Sequence, residues 1–266
     1  MSTLLQSQST ASRAGDPAQR QSALGVDYVE VADEPLHVER FRNQHVRVYF
    51  VTLVPGVVSL YHRHRENTLY IVIKGGVCRS DEPGRQKQRI PGVGRSTRLR
   101  SKLSLAVQKL IFGSTNVPPS SVVMQYHAEF PLIHRVCAAA SNAHAMELVG
   151  IEVFRSPRSL LNAPQAFVQS RLSARSLQGF ELEFRDRQLA VHRIRLAPGA
   201  RTGPRRLGPP SALVIVAGAA TWSSTPGWEA VRTLEQGAVQ WLDADALLQL
   251  VNPREVELEA LLITLH

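Results

Sequence analysis

The 266-residue chain is predicted to be all-β and to use one β-domain twice. Three observations predict it. The apolar stretches are short and alternate or run as strands do, with no long helical periodicity in the regions that carry most of the apolar residues. The composition, 17 Gly and 16 Pro against 6% aromatic residues, suits many short strands joined by turns. Finally, sliding the chain against itself by 143 residues lays Val46–Gly76 on Leu189–Ala219 without a gap. Leu53, Pro55 and Gly56 then meet Leu196, Pro198 and Gly199, Arg63 meets Arg206, Ile71 and Ile73 meet Val214 and Val216, and Gly75 meets Gly218. A strand, a Pro-Gly turn, a second strand and a glycine turn recur in one order.

In chain order, residues 1–25 are rich in Ser, Gln, Ala and Thr and read as a disordered leader outside the core. The first unit spans 27–157. Strands are expected at Val46–Val54, Leu69–Ile73, Ser121–Tyr126 and Met146–Phe154. Within it, about 80–110, lies a basic insertion. No acid occurs between Pro83 and Ala128, while Arg85, Lys87, Arg89, Arg95, Arg98, Arg100, Lys102 and Lys109 supply nearly all of the +9 net charge. A loop of that length suits a functional lid, from which Arg98 or Arg100 would reach a substrate carboxylate. Residues 158–178 carry Leu160, Leu161, Phe167, Val168 and Leu172 at helical spacing around Pro164, which reads as a short helical linker. The second unit fills 179–266.

Several function classes are excluded at this stage. No apolar run approaches the 18 residues of a membrane span. Cys78 and Cys137 cannot make a disulfide framework or a thiolate zinc site. The basic block lacks the interleaved aromatics that single-strand binding needs, so neither nucleic acid nor a membrane surface is the expected partner. A cytoplasmic protein is expected, with Arg13 and Arg20 the weak signal for an organellar transit peptide. Strand edges allow a homodimer.

The chemistry is carried by Pro55, Gly56 and then Tyr61, His62, Arg63, His64. A strand sends alternate side chains to one face, so His62 and His64 point together, with Arg63 opposite, and two imidazoles on one pleat can chelate a metal. On an ordinary core face each ring would leave a nitrogen needing a partner.

Gly56, five residues, His62-x-His64 and the terminal Gly75 resemble the first motif of the cupin superfamily. The resemblance implies two tandem cupin barrels of the double-stranded β-helix or jelly-roll type. It also implies a third histidine from a later strand, and His134, in Phe130–Val136, looks like that ligand; the family's preceding Pro and Gly fall on Glu129 and Pro131. Where the family has its glutamate ligand this chain has Thr68, and Glu66 is the nearest carboxylate, so either three histidines suffice or Glu66 becomes a fourth ligand. A three-histidine centre is similar to that of thiol dioxygenases. That implies one divalent transition metal, iron(II) first and Zn, Mn, Ni or Cu open, in an oxidoreductase acting on a small organic acid or thiol. A non-catalytic binding or scaffold bicupin and a metal-assisted isomerase or hydrolase are the alternatives. Tyr126 is a candidate pocket donor. His127, His45 and His192 are expected to be ordinary hydrogen-bonded histidines. In the second unit, Arg205, Leu207, Ser211 and Leu248 fall at the ligand positions, so a degenerate, metal-free half is expected.

Overall fold

The computed structural model describes residues 20–21, 25–83, 115–128, 131–154, 180–223 and 231–266. Among them there is no α-helix, only a short 3-10 turn at Val31–Asp33 and twenty strands. The first unit contains β1 (Arg20–Gln21), β2 (Asp27–Glu30), β3 (His37–Arg42), β4 (Val46–Leu53), β5 (His62–His64), β6 (Asn67–Lys74), β7 (Gly76–Asp81), β8 (Thr115–Val117), β9 (Val122–Gln125), β10 (Leu132–Ala138) and β11 (Met146–Val153). The second contains β12 (Phe180–Arg185), β13 (Leu189–Leu196), β14 (Arg205–Arg206), β15 (Ser211–Ala217), β16 (Ala219–Ser223), β17 (Val231–Glu235), β18 (Val239–Leu242), β19 (Leu247–Val251) and β20 (Leu258–Leu265).

Each unit is a pair of facing sheets. In the first these are β1-β2-β5-β10-β7-β8 and β3-β4-β11-β6-β9; in the second they are β12-β13-β20-β15-β18 and β14-β19-β16-β17. The jelly-roll layout is therefore present, but the expected closed barrel is not: no ladder joins the two sheets of a unit among the described residues. Arg20 and Gln21, assigned by composition to the leader, pair with Tyr28 and Asp27 at the sheet edge. The helical linker, and most of the basic insertion with Arg98 and Arg100, lie outside the described residues.

The repeat is exact in register. Val46–Leu53 and Leu189–Leu196 become the equivalent strands β4 and β13, each antiparallel to the last strand of its unit. Both Pro-Gly turns place their glycine at positive φ, +79° at Gly56 and +70° at Gly199, which a β-carbon would resist. Between the units, the outer faces of the two five-stranded sheets pack on one another. Val48, Leu69, Ile71 and Ile151 of one meet Val191, Val214, Leu261 and Ile263 of the other in a single buried cluster. Polar clips flank it: Asn67 Nδ2 donates to Gln188 at 2.5 Å, and Arg193 donates to the Ser120 carbonyl at 2.9 Å.

The two interiors differ. That of the second unit is apolar, with Ile194, Leu207, Leu213, Leu248 and Leu262 in contact. That of the first has only a small apolar cluster around Val31, Tyr49, Val51, Leu53 and Met146, and the remaining volume is filled by polar groups. Gly150 makes room for Tyr49, since a β-carbon there would come within 2.3 Å of its ring.

Candidate metal centre

Strand β5 shows the alternation its sequence predicts. His62 and His64 are fully buried, and Arg63 faces outward, where it pairs with Glu30 and covers the Tyr28 ring at 4.9 Å. Strand β10 runs antiparallel to β5 with His134 directly opposite His62. The rings of His62 and His64 are 4.9 Å apart by centroid, those of His62 and His134 4.7 Å, and those of His64 and His134 5.1 Å. The three sequence-predicted histidines therefore meet in one place.

Two further imidazoles join them. His37, the first residue of β3, has its ring 4.5 Å from His62 and 5.8 Å from His64. One ring nitrogen from each of His37, His62 and His64 lies within 4.8 Å of the others, so these three could hold one ion. His127, read from the sequence as ordinary, is buried and stacks on His64 at 4.9 Å. His37 was missed because no His-x-His spacing marks it. The available signal was its position between Glu34 and a strand, a carboxylate within reach of an imidazole.

The surrounding contacts anchor one nitrogen of three of the rings. His62 Nδ1 lies 2.9 Å from the Leu60 carbonyl, which can only accept, so Nδ1 carries the proton and Nε2 keeps its lone pair. His37 Nδ1 is likewise held at 2.6 Å by Glu34, whose other oxygen accepts the Leu60 N–H. His134 Nδ1 meets the Ser80 hydroxyl at 2.8 Å. Anchoring the far nitrogen to a carboxylate, carbonyl or hydroxyl is how proteins orient metal-binding histidines. The Nε2 atoms of His62, His127 and His134 are buried without a partner. Each such orphan costs about 1–3 kcal/mol, which a cation at the centre of the cluster would offset for His62 and His134.

Burial lowers the pKa of these rings. His62 is brought to about 4, by desolvation first and then by the neighbouring His37; His127 is brought to about 4 by desolvation alone. His64 and His134 are pushed well below the usual imidazole range by burial and by the other rings. Because the folded-state values lie below the unfolded one, the unfolded chain binds more protons between about pH 4 and 6.5, and stability falls as pH drops through that window. His62 alone contributes a loss on the order of 3 kcal/mol by pH 4. Glu34, held down by His37 despite its burial, acts in the same direction, whereas Glu152, raised by burial, opposes it. We expect the urea midpoint of chelator-treated protein to fall steeply from pH 7 to pH 4.5, and the metal-loaded protein to resist down to lower pH. Equal curves would show that these rings bind no ion.

The other predicted residues are placed as follows. Glu66 is half-buried at the bend between β5 and β6. Thr68, at the family's glutamate position, is buried and donates to the Glu66 carbonyl at 3.0 Å. Directly across the ladder from Thr68 stands Glu152. Its Oε2 accepts from Arg47 Nε at 2.8 Å, while its Oε1 has no hydrogen-bond partner and lies 3.9 Å from His64 Nδ1. A carboxylate of the neighbouring strand thus stands beside His64 where the motif has none, a placement that needs the register to be seen. Tyr126 is turned to the seam between the units, where its hydroxyl donates to Asp186 at 2.9 Å, which places its hydroxyl in an interdomain contact and not in the predicted pocket role. His45 stacks on Trp241 across the same seam. In the second unit Arg205 pairs with Leu248 as His62 pairs with His134, so the register puts Arg205, Leu207 and Leu248 at the three histidine positions.

No family model and no curated protein matches the chain. Solved structures do. A variant of oxalate decarboxylase from Bacillus subtilis superposes with a TM-score of 0.50 at 12% identity, over 86% of this chain and 74% of that one. AerE from Microcystis aeruginosa gives 0.48 at 11% over 88% and 98%, and a cupin 2 conserved barrel domain protein from Leptotrichia buccalis gives 0.47 at 9% over 87% and 88%. With two jelly-roll units in tandem, matched by register and by the oxalate decarboxylase superposition, the chain has the bicupin fold.

Proposed function

We propose that the first unit is a mononuclear metal-dependent oxidoreductase of dioxygenase type acting on a small organic acid or thiol. The observation that supports it most is the meeting of buried imidazoles in which His62 and His134 have Nδ1 tied back and Nε2 without a partner. His62, His64 and His134 would hold the ion, with His37 the fourth donor. An all-imidazole set suits iron(II), zinc, copper or nickel better than manganese, and iron(II) is the metal we assign. The oxalate decarboxylase of Bacillus subtilis, by contrast, holds Mn(II) centres. The bound metal would supply Lewis acidity and access to one-electron chemistry with oxygen.

The protein's own groups then have distinct tasks. Glu34 and the Leu60 carbonyl orient His37 and His62. Tyr49 and Tyr70, whose pKa values burial raises, stay protonated; the Tyr70 hydroxyl lies 3.4 Å from both ring nitrogens of His64 and 3.4 Å from the Tyr49 hydroxyl. They are donors to a substrate oxygen or sulfur. Glu152 Oε1, unpartnered and raised by burial, is placed to take the acidic proton of the substrate. That same carboxylate favours a second reading, a metal-assisted isomerase or hydrolase.

The test is oxygen uptake after anaerobic loading with iron(II), across a panel of small thiols and short-chain organic acids. Uptake with one class, absent in His62→Ala, is expected. Conversion of a substrate without oxygen uptake would establish the second reading, and no turnover of any panel member would leave only a binding module.

A further inference from the structure

A cavity of about 160 Å³ opens on the second unit, among β12, β13, β14 and β20. It overlaps part of the place that the histidine cluster holds in the first unit. By the repeat register, Arg205 stands where His62 does, Leu207 where His64 does, His192 where Tyr49 does and Thr264 where Glu152 does. Of the three histidine positions, two carry leucine and pack into the apolar interior, while the third carries the Arg205 guanidinium at the cavity.

The wall is cationic and the floor apolar. Arg185, Arg205 and Arg206 line it with His192 and His266, and Thr264 adds a hydroxyl. Among the described residues none of the three arginines is paired with a carboxylate. Arg206 Nη1 reaches only the Asp245 carbonyl at 3.4 Å, and the Arg205 guanidinium lies over the Phe180 ring at 4.9 Å, which fixes its plane while leaving its donors free. The nearby acid, Asp186, is already engaged by the Tyr126 hydroxyl and by the N–H groups of Gln188 and Leu189. His192 Nδ1 is buried without a partner. Ala190, Leu207, Pro209 and Leu262 supply the apolar surface.

We propose that this cavity is a binding site for a short-chain organic carboxylate, distinct from the metal centre. Guanidinium groups match a carboxylate bidentately, and the apolar floor takes a short hydrocarbon body that inorganic phosphate lacks. The volume holds on the order of half a dozen non-hydrogen atoms, the size of butyrate. The inference does not depend on the oxidoreductase reading, because it needs no metal.

The experiment is a butyrate titration of the full chain after chelator treatment, at constant ionic strength, followed by ligand-observed NMR or calorimetry. Saturable one-to-one binding with a Kd on the order of millimolar is expected, with none for neutral butyramide and weaker binding for inorganic phosphate. Arg205→Gln and Arg185→Gln should each weaken it by at least roughly tenfold, Arg205→Lys less, and His62→Ala not at all. Arg185 is exposed at a strand end, so its variant remains folded even if Arg205→Gln does not, and circular dichroism checks both. Absence of butyrate binding, equal binding of butyramide, tighter binding of phosphate, indifference to Arg185→Gln, or loss in His62→Ala would each overturn the assignment.

Discussion

Alanine at His62 or at His134 is expected to strip the protein of its metal, from about one equivalent in the wild type to a background level. Both rings are buried, both have Nδ1 anchored, and both leave Nε2 without a protein partner. Removing one donor opens coordination to water and widens a site whose remaining rings cannot close in, since each is held by its strand. An affinity loss of more than about 100-fold follows, larger than the 10–100-fold typical of changes to the residues that orient a ligand. Glu34→Gln tests that smaller class, because it weakens the anchor on His37 without removing an imidazole. His127→Ala should leave the metal in place. Its ring stacks on His64 with an interplanar angle of 26°, and since an imidazole lone pair lies in the ring plane, two stacked rings do not converge on one ion. Elemental analysis of the wild type beside these four variants checks the whole pattern. Metal retained in both His62→Ala and His134→Ala would place any ion elsewhere.

The sequence made some of this legible and hid the rest for physical reasons. Spacing within one strand is local information. His62 and His64 share a face because of the two-residue pleat, and that could be read directly. The gapless repeat was readable because both units keep strand and turn lengths from Val46 to Gly76, with positive-φ glycines at Gly56 and Gly199. Position across a sheet is not local. His37 reaches the cluster because β3 starts beside β4 in the facing sheet, and Glu152 comes beside His64 because β11 sets it opposite Thr68. Neither relation leaves a spacing signature. Tyr126 shows the converse error: a polar residue near the site in sequence is drawn to Asp186 because the second unit packs where a lone unit would have solvent.

The two units also divide the physical work. The apolar interior of the second supplies burial, and its strands cover the outer face of the first unit's inner sheet. That support matters because the first interior holds five histidines, Arg47 and Glu152 in place of aliphatic packing. A polar interior of this kind stabilises little by itself and depends on every partner being satisfied.

Arg47→Met gives the sharpest reading of that dependence. Arg47 and Glu152 form a buried pair, with Nη2 to Oε2 at 2.5 Å and Nε to the same oxygen at 2.8 Å, and the Glu152 side chain is 1% exposed. The methionine keeps most of the side-chain volume but removes the only cation bonded to that carboxylate among the described residues. Breaking one side of a buried pair typically costs about 3–5 kcal/mol, because the remaining charge stays desolvated. Burial already raises the Glu152 pKa and Arg47 is what restrains it, so its removal drives the carboxyl toward the protonated form at neutral pH. Relative to the wild type the variant should therefore lose less stability as pH falls, so that the gap between them narrows from pH 8 to pH 5, since a carboxyl with a folded-state pKa above its unfolded value gains from protonation. Adding Glu152→Gln to Arg47→Met should recover most of the loss, as a neutral amide leaves no buried charge. Urea midpoints at pH 5 and pH 8 for the wild type, the single variant and the pair decide it. A single variant as stable as the wild type at pH 8 would mean that Glu152 is charged but hydrated, and its place beside His64 would then owe nothing to Arg47.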